Sequence, residues 1–487
     1  MKTQLHFIFI LLFLSTFRID SQTPCDGTGF AGVYPCNNYD LMSVIDVNTL
    51  SGSLTAEGSD VWGWTDTTTG KEYALTALTN GTAFVDISDP VNPIFLGRLD
   101  TNTRTSVWRD VKVYNNHAFI VADNVGDHGM QVFDLTRLRN VASPPVTFNA
   151  DAIYSGVTSC HNIVINETSN YAYLVGCDSF SGGPVFVDIS DPKNPTAAGG
   201  YSAQGYTHDA QVITYNGPDA TYTGREILLA SNGNDGGTND VVIVDVTDKA
   251  SPQLISKISY TNPEYAHQGW FTDDHRYFIL GDELDEQRTG TNTRTLIFDL
   301  TDLDTPTFSS AYLGPTKAID HNGYVKGNEY FIANYRAGMR ILDISNISDN
   351  TNPMTEVGYF DTYPDNDNVG FNGAWSVYPY FPSGNILIND IERGLFVVRK
   401  SGTLSVDNPI VEETKFNIYP NPTNRNPIIS SNGKSITSIE VFNILGKKIY
   451  HQKNINQQEF VLPIENHSKG IYLVKINNTI GKKLIIK

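Results

Sequence analysis

The chain has 487 residues, and its 34 Lys and Arg against 53 Asp and Glu give a formal net charge of −19. Aromatic residues make up 11% of the chain and charged residues 18%, and there are 40 Gly, a composition that excludes intrinsic disorder, a collagen and a coiled coil. An acidic chain is also a poor partner for nucleic acid, because phosphate neutralisation requires a basic surface. We therefore expect no nucleic-acid partner, and an acidic surface favours cationic partners instead.

The start of the chain is typical of a secretory signal peptide. Lys2 is followed by an apolar run of twelve residues, His6 to Phe17, which is too short to span a bilayer comfortably. We expect residues 1–21 to be the signal peptide and the mature chain to begin at Gln22. No later stretch approaches 18 apolar residues. The sequence therefore predicts an exported protein with no transmembrane segment in its mature chain.

The four cysteines fit an oxidising compartment. The segment between Cys160 and Cys177 has the pattern of a β-hairpin, and a two-residue turn on Thr168 and Ser169 places these two cysteines directly opposite each other. Opposed antiparallel residues lie within disulfide range. Cys25 and Cys36 would then close a small loop in an N-terminal segment, residues 22–37. The alternative is four free thiols.

A repeated phrase organises the body of the chain. It consists of a short apolar strand that ends in Asp and is followed by Ser or Thr and often by Pro, as in VFVDISDPKNP at 185–195. The repeated aspartates are Asp86, Asp134, Asp188, Asp245, Asp299 and Asp343, and Arg399 takes this place in a degenerate seventh copy. Each aspartate is expected to bond the backbone of the turn that follows it.

Each repeat contains four short strands in about 40–55 residues, which is typical of a β-propeller blade. The sequence predicts an all-β protein in which residues 38–400 form a seven-bladed β-propeller. The last unit lacks a fourth strand, and residues 41–50 are expected to supply it, so that the ring closes without an exposed edge. A polar linker, 401–415, precedes residues 416–487, whose alternating strands predict a small C-terminal β-sandwich.

The C-terminal segment has three motifs of a known family. They are YPNP at 419–422, FNILG at 442–446 and GIYLV at 470–474. With these motifs, residues 416–487 resemble the C-terminal sorting domain of the type IX secretion system of Bacteroidota. This resemblance implies that the type IX secretion machinery is a partner of the chain. It also implies export to the extracellular space or the outer-membrane surface of a Bacteroidota-type bacterium.

The body also resembles a known family. The carrying segments include WGWTD at 62–66, NGTAFVD at 80–86, WRD at 108–110, HGMQVFD at 128–134, YTHDAQ at 206–211 and HQGW at 267–270. They are similar to the choice-of-anchor B family, which is built from LVIVD-type repeats. This resemblance implies an exported propeller whose means of anchoring differs between members, and it implies no particular activity.

A second repeat stands at the start of the first strand of each unit. Four consecutive units have a histidine at this position, namely His161, His208, His267 and His321. Because the first strand of a propeller blade is the innermost, these side chains are expected at one mouth of the central channel.

Two interpretations of the four histidines remain open. Each ring bonds the neighbouring blade, or the imidazoles bind a divalent transition metal, with Asp110, Asp209 and Asp320 as further ligands or as residues that orient the imidazoles. Acidic Gly-rich loops on the same side, at 123–129, 234–240 and 282–290, either form a solvated rim or offer oxygen ligands of the kind that Ca²⁺ prefers. The identity of a cofactor is therefore left open between Ca²⁺ and a transition metal.

Several aromatic residues are candidates for a ligand surface. Trp62, Trp64, Trp108 and Trp375, with Arg109, either pack in the core or offer a stacking surface to a ligand such as a sugar. The sequence contains no GxSxG, HExxH or Walker motif. The pattern favours a secreted or surface propeller that acts as a binding scaffold for an unknown extracellular ligand. The alternative is a metal-dependent lyase or hydrolase that uses the histidine cluster.

Overall fold

The computed structural model describes residues 22–234, 237–402, 416–431, 435–443, 447–464, 468–477 and 480–487. The chain divides into two compact units at Gly402. The expected signal peptide, residues 1–21, and residues 403–415 of the expected linker lie outside the described residues.

The described part of the first unit contains seven antiparallel sheets, each built around four strands that we call a blade. The strands of blades 1 to 3 are Gly58–Asp66, Lys71–Leu78, Gly81–Asp86 and Ile94–Asp100; Arg109–Tyr114, His117–Ala122, Met130–Asp134 and Ala152–Tyr154; and Asn162–Asn166, Tyr171–Val175, Val185–Asp188 and Thr196–Gly200. The strands of blades 4 and 5 are Asp209–Thr214, Glu226–Asn232, Asp240–Asp245 and Gln253–Ile258; and Ala266–Phe271, Tyr277–Asp282, Arg294–Asp299 and Thr307–Leu313. The strands of blades 6 and 7 are Gly323–Lys326, Glu329–Ala333, Met339–Asp343 and Thr355–Phe360; and Ala374–Tyr378, Asn385–Asp390, Gly394–Lys400 and Tyr39–Ile45.

The hydrophobic core lies between successive blades. Phe119 and Val132 of blade 2, for example, share one buried cluster with Ile163 and Leu174 of blade 3. Both faces of most strands are therefore covered, and the strand Gly81–Asp86 is buried along its whole length. This burial explains why the repeated strands are continuous apolar runs rather than alternating ones.

The ring closes through the first described strand of the body. Tyr39–Ile45 pairs antiparallel with Gly394–Lys400, which completes blade 7, and the inner strands of blades 1 and 7 are in contact. The strand expected at 41–50 ends at Ile45, because the side chain of Asp46 accepts hydrogen bonds from the backbone N–H groups of Asn48 and Thr49. This cap starts a short helix, Val47–Ser51. The prediction of a closing strand is thus confirmed, and its C-terminal end is corrected.

The repeated aspartates have the predicted turn geometry. In all six, one carboxylate oxygen accepts a hydrogen bond of 2.8–3.0 Å from the backbone N–H two residues later. In the degenerate copy, Arg399 donates instead to Oδ1 of Asn385 on the neighbouring strand. These aspartates fix the turn after the third strand of each blade and are structural residues.

Several short strands and helices are added to the seven blades. A hairpin of Phe30–Ala31 and Tyr34–Asn37, within the expected N-terminal loop, extends blade 6, and Val146–Phe148 adds a parallel strand to blade 1. The other helical segments are Leu135–Asn140, Phe180–Gly182, Ala220–Tyr222 and Asp285–Thr289. Both predicted disulfides are confirmed: Cys25 is bonded to Cys36 and Cys160 to Cys177, with Cα–Cα distances of 5.9 and 4.0 Å.

The second unit has two sheets around one core. Phe416–Tyr419, Ile428–Ser431 and Glu459–Val461 form the first sheet, and Lys448–Gln457, Ile436–Asn443, Gly470–Ile476 and Ile480–Ile486 form the second. Phe416 and Ile429 of the first sheet share a buried cluster with Ile439 and Val474 of the second, as expected for a β-sandwich. In the described parts of the chain, no helix has the length and apolar character needed to cross a membrane.

Candidate functional site

The four predicted histidines form a continuous row at the starts of the inner strands. The ring centroids are 4.3 Å apart for His161 and His208, 4.3 Å for His208 and His267, and 4.2 Å for His267 and His321. Equivalent positions of blades 3 to 6 lie at one level of the channel, so one residue type repeated at one position produces this row. We call this part of the channel the histidine end.

Two members of the row bond the backbone of the next blade. Nδ1 of His208 lies 3.1 Å from the carbonyl oxygen of His267, and Nδ1 of His321 lies 2.6 Å from that of Trp375. Since a carbonyl only accepts, the Nδ1–H of each ring donates, and Nε2 of the neutral ring keeps its lone pair. These bonds join neighbouring blades and also orient the rings.

The other two histidines have different surroundings. Nδ1 of His161 is 2.9 Å from Oδ2 of Asp123, in the first of the acidic loops noted in the sequence. Nδ1 of His267 is buried and has no hydrogen-bond partner within the described parts of the chain. The four histidines therefore do not share one structural role.

A carboxylate completes a three-residue cluster at the histidine end. Oε2 of Glu283 is 3.7 Å from Nε2 of His267, and Oε1 is 3.6 Å from Nε2 of His321. One ligand atom from each residue lies within 4.8 Å of the other two. Glu283 follows the strand Tyr277–Asp282 in the third acidic loop, and the hydroxyl of Tyr335 donates to its Oε1 at 2.9 Å. The sequence identified this loop but not Glu283 as the converging residue.

Burial controls the charge of this cluster. The exposed side-chain fractions are 2% for His267, 5% for His321 and 14% for Glu283. Burial lowers the pKa of His321 to about 4 and that of His267 well below its usual value, and the neighbouring imidazoles add to the shift at His267. Burial also raises the pKa of Glu283 to about 7. At neutral pH both rings are neutral and offer lone pairs.

The predicted aspartates Asp110 and Asp209 lie in a buried polar layer, outside the cluster. The ammonium of Lys112 is 2.5 Å from Oδ1 of Asp110 and 2.9 Å from Oδ2 of Asp60. Oδ2 of Asp110 also accepts a hydrogen bond from the backbone N–H of Ile163 in blade 3, at 2.8 Å. Burial raises the pKa of Asp209 to about 7. We call Asp60, Asp110, Lys112 and Asp209 the ion layer.

Asp320 lies near the carboxylates of Asp282 and Asp285. It is fully buried, and neither of its carboxylate oxygens has a hydrogen-bond partner among the described residues. Burial, together with the negative charges of Asp285 and Asp282, raises its pKa well above the usual value. The structure does not bring Asp320 into the donor set of His267, Glu283 and His321.

The predicted aromatic ligand residues are dispersed. Trp64 stacks on Tyr73 inside blade 1, and Trp375 packs edge-on against His321. Arg109 is buried and donates to the carbonyl oxygen of Leu78 and to the hydroxyl of Thr101, so its contacts are structural.

Two of the predicted aromatic residues remain accessible. Trp108 is 43% exposed, and Trp62 lines a cavity of the channel. Trp270, Tyr378 and Tyr380, which the sequence analysis did not assign to a ligand surface, line the same cavity.

Comparison with known families confirms the sorting domain and the LVIVD repeats expected from the sequence. Residues 417–487 match the secretion system C-terminal sorting domain. The LVIVD repeat matches residues 71–101, 161–203, 236–260 and 324–362, which fall on blades 1, 3, 4 and 6. The sorting domain indicates export by the type IX system of Bacteroidota to the extracellular or cell-surface compartment.

Similarity to individual proteins is limited. An ulvan lyase from Nonlabens ulvanivorans is 31% identical over 91 residues, which is 18% of this chain and only 17% of the length of that relative. Among solved structures, a putative 6-phosphogluconolactonase from Bacteroides fragilis is 12% identical and covers 61% of this chain and 86% of its own, with a TM-score of 0.43.

Two further solved structures are similarly distant. A protein from Lactobacillus plantarum is 11% identical over 86% of this chain and 98% of its own, and the C-terminal WD40 domain of Sif2 is 9% identical over 74% and 99%; both have a TM-score of 0.44. Similarity at this level carries no argument about activity. The chain is an exported LVIVD-repeat β-propeller that carries a type IX secretion C-terminal sorting domain.

Proposed function

We propose that the propeller is an extracellular binding scaffold whose channel holds one divalent transition-metal ion on His267, Glu283 and His321. The observation that carries this proposal is the convergence of two imidazole Nε2 atoms on the two oxygens of one carboxylate, at 3.7 and 3.6 Å. The binding role rests on this site and on export to the extracellular or cell-surface compartment, and the acidic propeller disfavours a nucleic-acid partner.

The spacing of the donor atoms fits a metal centre. A tetrahedral ion with bonds of about 2.0–2.1 Å requires ligand atoms about 3.4 Å apart. Both imidazole-to-carboxylate distances exceed this value by only a few tenths of an ångström. The two distances run to different oxygens of Glu283, and all three donor atoms lie within 4.8 Å of one another, so binding requires side-chain rotations that bring them closer by up to about 1.4 Å.

The protonation states also support a cation. Neutral imidazoles are metal ligands, and the Nδ1–H of His321 is already directed to the carbonyl of Trp375, which leaves Nε2 for the metal. Burial raises the pKa of the Glu283 carboxyl group to about 7, and the negative charge of Asp282 adds to this shift. A bound cation would stabilise the carboxylate form.

The ligand types favour a transition metal over Ca²⁺. Two nitrogen donors and one carboxylate suit Zn²⁺, Fe²⁺ or Mn²⁺, whereas Ca²⁺ takes six to eight oxygen ligands. Three protein ligands leave a coordination position for water, which is the arrangement of catalytic zinc sites. This open position favours a second candidate function, a metal-dependent lyase or hydrolase. The alignment with the ulvan lyase spans too little of that protein to support either activity.

Metal binding by the full-length chain, purified without a histidine tag, tests the proposal. Elemental analysis should find about one equivalent of transition metal, and calorimetric titration of chelator-treated protein with ZnCl₂ should show one tight site. Replacement of His267 or His321 with Ala should remove this site, and Glu283→Gln should weaken it. His161→Ala is the matched control, because His161 belongs to the same row but not to the donor set.

The titration also has a result that contradicts the proposal. If the wild-type protein takes up no Zn²⁺, or if His161→Ala lowers the affinity as much as His321→Ala, the site is not a metal centre of this composition. Hydrolase or lyase activity that requires the loaded metal would support the second candidate over a purely binding role.

A further inference from the structure

A second site lies in the same channel, towards the ends of the inner strands. A cavity of about 420 Å³ is lined there by residues from all seven blades or from the turns that follow their inner strands. Ligand sites commonly have volumes of about 300–1,000 Å³. Because the histidines stand at the starts of these strands, the cavity is at the opposite part of the channel, which we call the aromatic end.

The cavity has an ordered aromatic wall. Trp62 contacts Tyr378 edge-on with ring centroids 5.1 Å apart, and Tyr378 contacts Tyr380 at 5.4 Å. Trp270 packs edge-on against the buried ring of Tyr324 at 4.9 Å. The hydroxyl of Tyr380 donates to the carbonyl oxygen of Val325 at 2.9 Å, which fixes that ring. These contacts form the wall before any ligand arrives, so binding costs little side-chain entropy.

Polar groups are placed among the aromatic rings. The side chains of Lys112 and Gln211 belong to inner strands, while Glu167 and Asp273 lie in turns at the opening and are exposed. Oδ2 of Asp273 accepts a hydrogen bond from the backbone N–H of Gly327, and Oε1 of Gln211 accepts one from that of Phe271. The cavity therefore combines flat apolar surfaces with hydrogen-bonding groups.

The charges in the cavity select a neutral ligand. The ammonium of Lys112 lies 4.6 Å from the centroid of the Trp62 ring, so the chain's own cation already occupies the cation–π position of this ring. Asp60 and Asp110 hold this ammonium in place, so it keeps a cationic ligand off this face of Trp62 by occupying the position. An anionic ligand would have to pass the carboxylates of Glu167 and Asp273 at the opening.

We propose that the aromatic end binds a neutral sugar, as a monosaccharide or as the terminal unit of a short neutral glycan. The apolar C–H face of the sugar ring stacks on Trp270 and Tyr380. Its hydroxyl groups pair with the amide of Gln211 and with the carboxylates of Glu167 and Asp273. This site uses none of the proposed metal ligands, so the proposal of a sugar site does not depend on the proposal of a metal centre.

Binding to a defined panel of small molecules tests this inference. The neutral probes are the methyl glycosides of glucose, galactose, mannose, xylose and rhamnose, with maltose and cellobiose, and the charged probes are choline and glucuronate. Tryptophan fluorescence and saturation-transfer NMR on the full-length protein should show saturable binding of at least one neutral probe. Neither charged probe should compete with it. Chelator-treated protein should bind the same sugar with the same affinity.

Substitutions in and outside the cavity test whether the sugar binds there. Trp270→Ala should weaken binding about tenfold or more, as expected for an aromatic residue at the centre of a binding site. Glu167→Gln should weaken binding several-fold and, because Glu167 is exposed, should not affect folding. Trp108→Ala is the matched control, since this exposed tryptophan lies outside the cavity.

Three results would overturn the inference. They are tighter binding of choline or glucuronate than of every neutral probe, no binding of any neutral probe at millimolar concentration, and wild-type affinity in Glu167→Gln together with wild-type affinity in Trp270→Ala. If Trp270→Ala does not fold, the Glu167→Gln affinity alone decides.

Discussion

The two ends of the channel are built from the same seven inner strands but have different chemistry. At the histidine end, one residue type recurs at one position of four consecutive blades, and the imidazoles stack at 4.2–4.3 Å. At the aromatic end, the residue types vary around the ring: blades 1 and 5 contribute Trp62 and Trp270, blade 2 contributes Lys112 and blade 7 contributes Tyr378. The repeat thus produces a row of ligands where its sequence is regular and a shaped cavity where its sequence varies.

The ion layer borders the aromatic end through Lys112, and replacement of this lysine gives the largest expected effect on stability. Lys112 is the cation of this layer and contacts both Asp60 and Asp110. Lys112→Met leaves buried carboxylates without their cation, which should cost about 3–5 kcal/mol in the free energy of unfolding. Urea denaturation measures this loss, and the double variant Lys112→Met with Asp110→Asn should recover part of it. A single variant as stable as the wild-type protein would show that the layer does not hold the inner strands together.

The disulfide of blade 3 supports the histidine end. Cys160 directly precedes His161, and Cys177 lies two residues beyond the end of the next strand, Tyr171–Val175. Replacement of both cysteines with Ser should lower the free energy of unfolding by about 3 kcal/mol, because the bond closes a ring of about 18 residues in the unfolded chain. Chemical denaturation under non-reducing conditions checks this value. Equal denaturation midpoints for the variant and the wild-type protein would contradict the estimate.

Asp209 of the ion layer predicts a pH dependence of stability. Burial raises its pKa to about 7, while Lys112 opposes the shift and Asp60 adds to it. Since the folded-state pKa exceeds the unfolded value of about 3.9, the protonated form contributes stability below pH 4 that is lost as the pH rises through 7. Asp209→Asn should therefore become more stable relative to the wild-type protein between pH 4 and pH 8, by up to a few kcal/mol at about 1.4 kcal/mol per pKa unit. Parallel stability curves for the two proteins would refute this assignment.

Replacement of His208 tests whether a histidine of the row can serve structure without binding the metal. It has the smallest expected effect on stability. The Nδ1–H of His208 donates to the carbonyl of His267, and the residue is outside the donor set. His208→Ala should cost about 0.5–1.5 kcal/mol of stability, the usual contribution of one hydrogen bond, and should keep the Zn²⁺ site. Thermal unfolding and zinc titration of the same sample check both parts. Loss of zinc binding in this variant would place His208 among the ligands.

The sequence was sufficient for the regular part of the molecule. The Asp-Ser and Asp-Thr turns defined the blades, the spacing of Cys160 and Cys177 predicted their disulfide, and the four histidines aligned by their position in the repeat. Each of these inferences uses either local backbone chemistry or the equivalence of repeat positions. Both properties are visible in a single sequence.

The contacts in the irregular part of the molecule could not be predicted from the sequence in the same way. Glu283 reaches the histidines from a loop whose path depends on tertiary packing, and Asp110 joins the ion layer because Lys112 and Asp60 meet it from two blades. Trp62 and Trp270 occupy equivalent register positions of blades 1 and 5, but the residue type at this position varies from blade to blade, so the repeat does not reveal an aromatic wall there. Such convergence depends on the curvature of the closed ring, which no local pattern encodes.

Anomalous X-ray diffraction from crystals of the zinc-loaded protein tests the central claim most directly. The account predicts one strong zinc peak about 2.0–2.2 Å from Nε2 of His267, Nε2 of His321 and a carboxylate oxygen of Glu283. It predicts no zinc at the aromatic end. Zinc bound elsewhere in the channel while these three residues keep their separate positions, or no zinc peak in the channel, would contradict it.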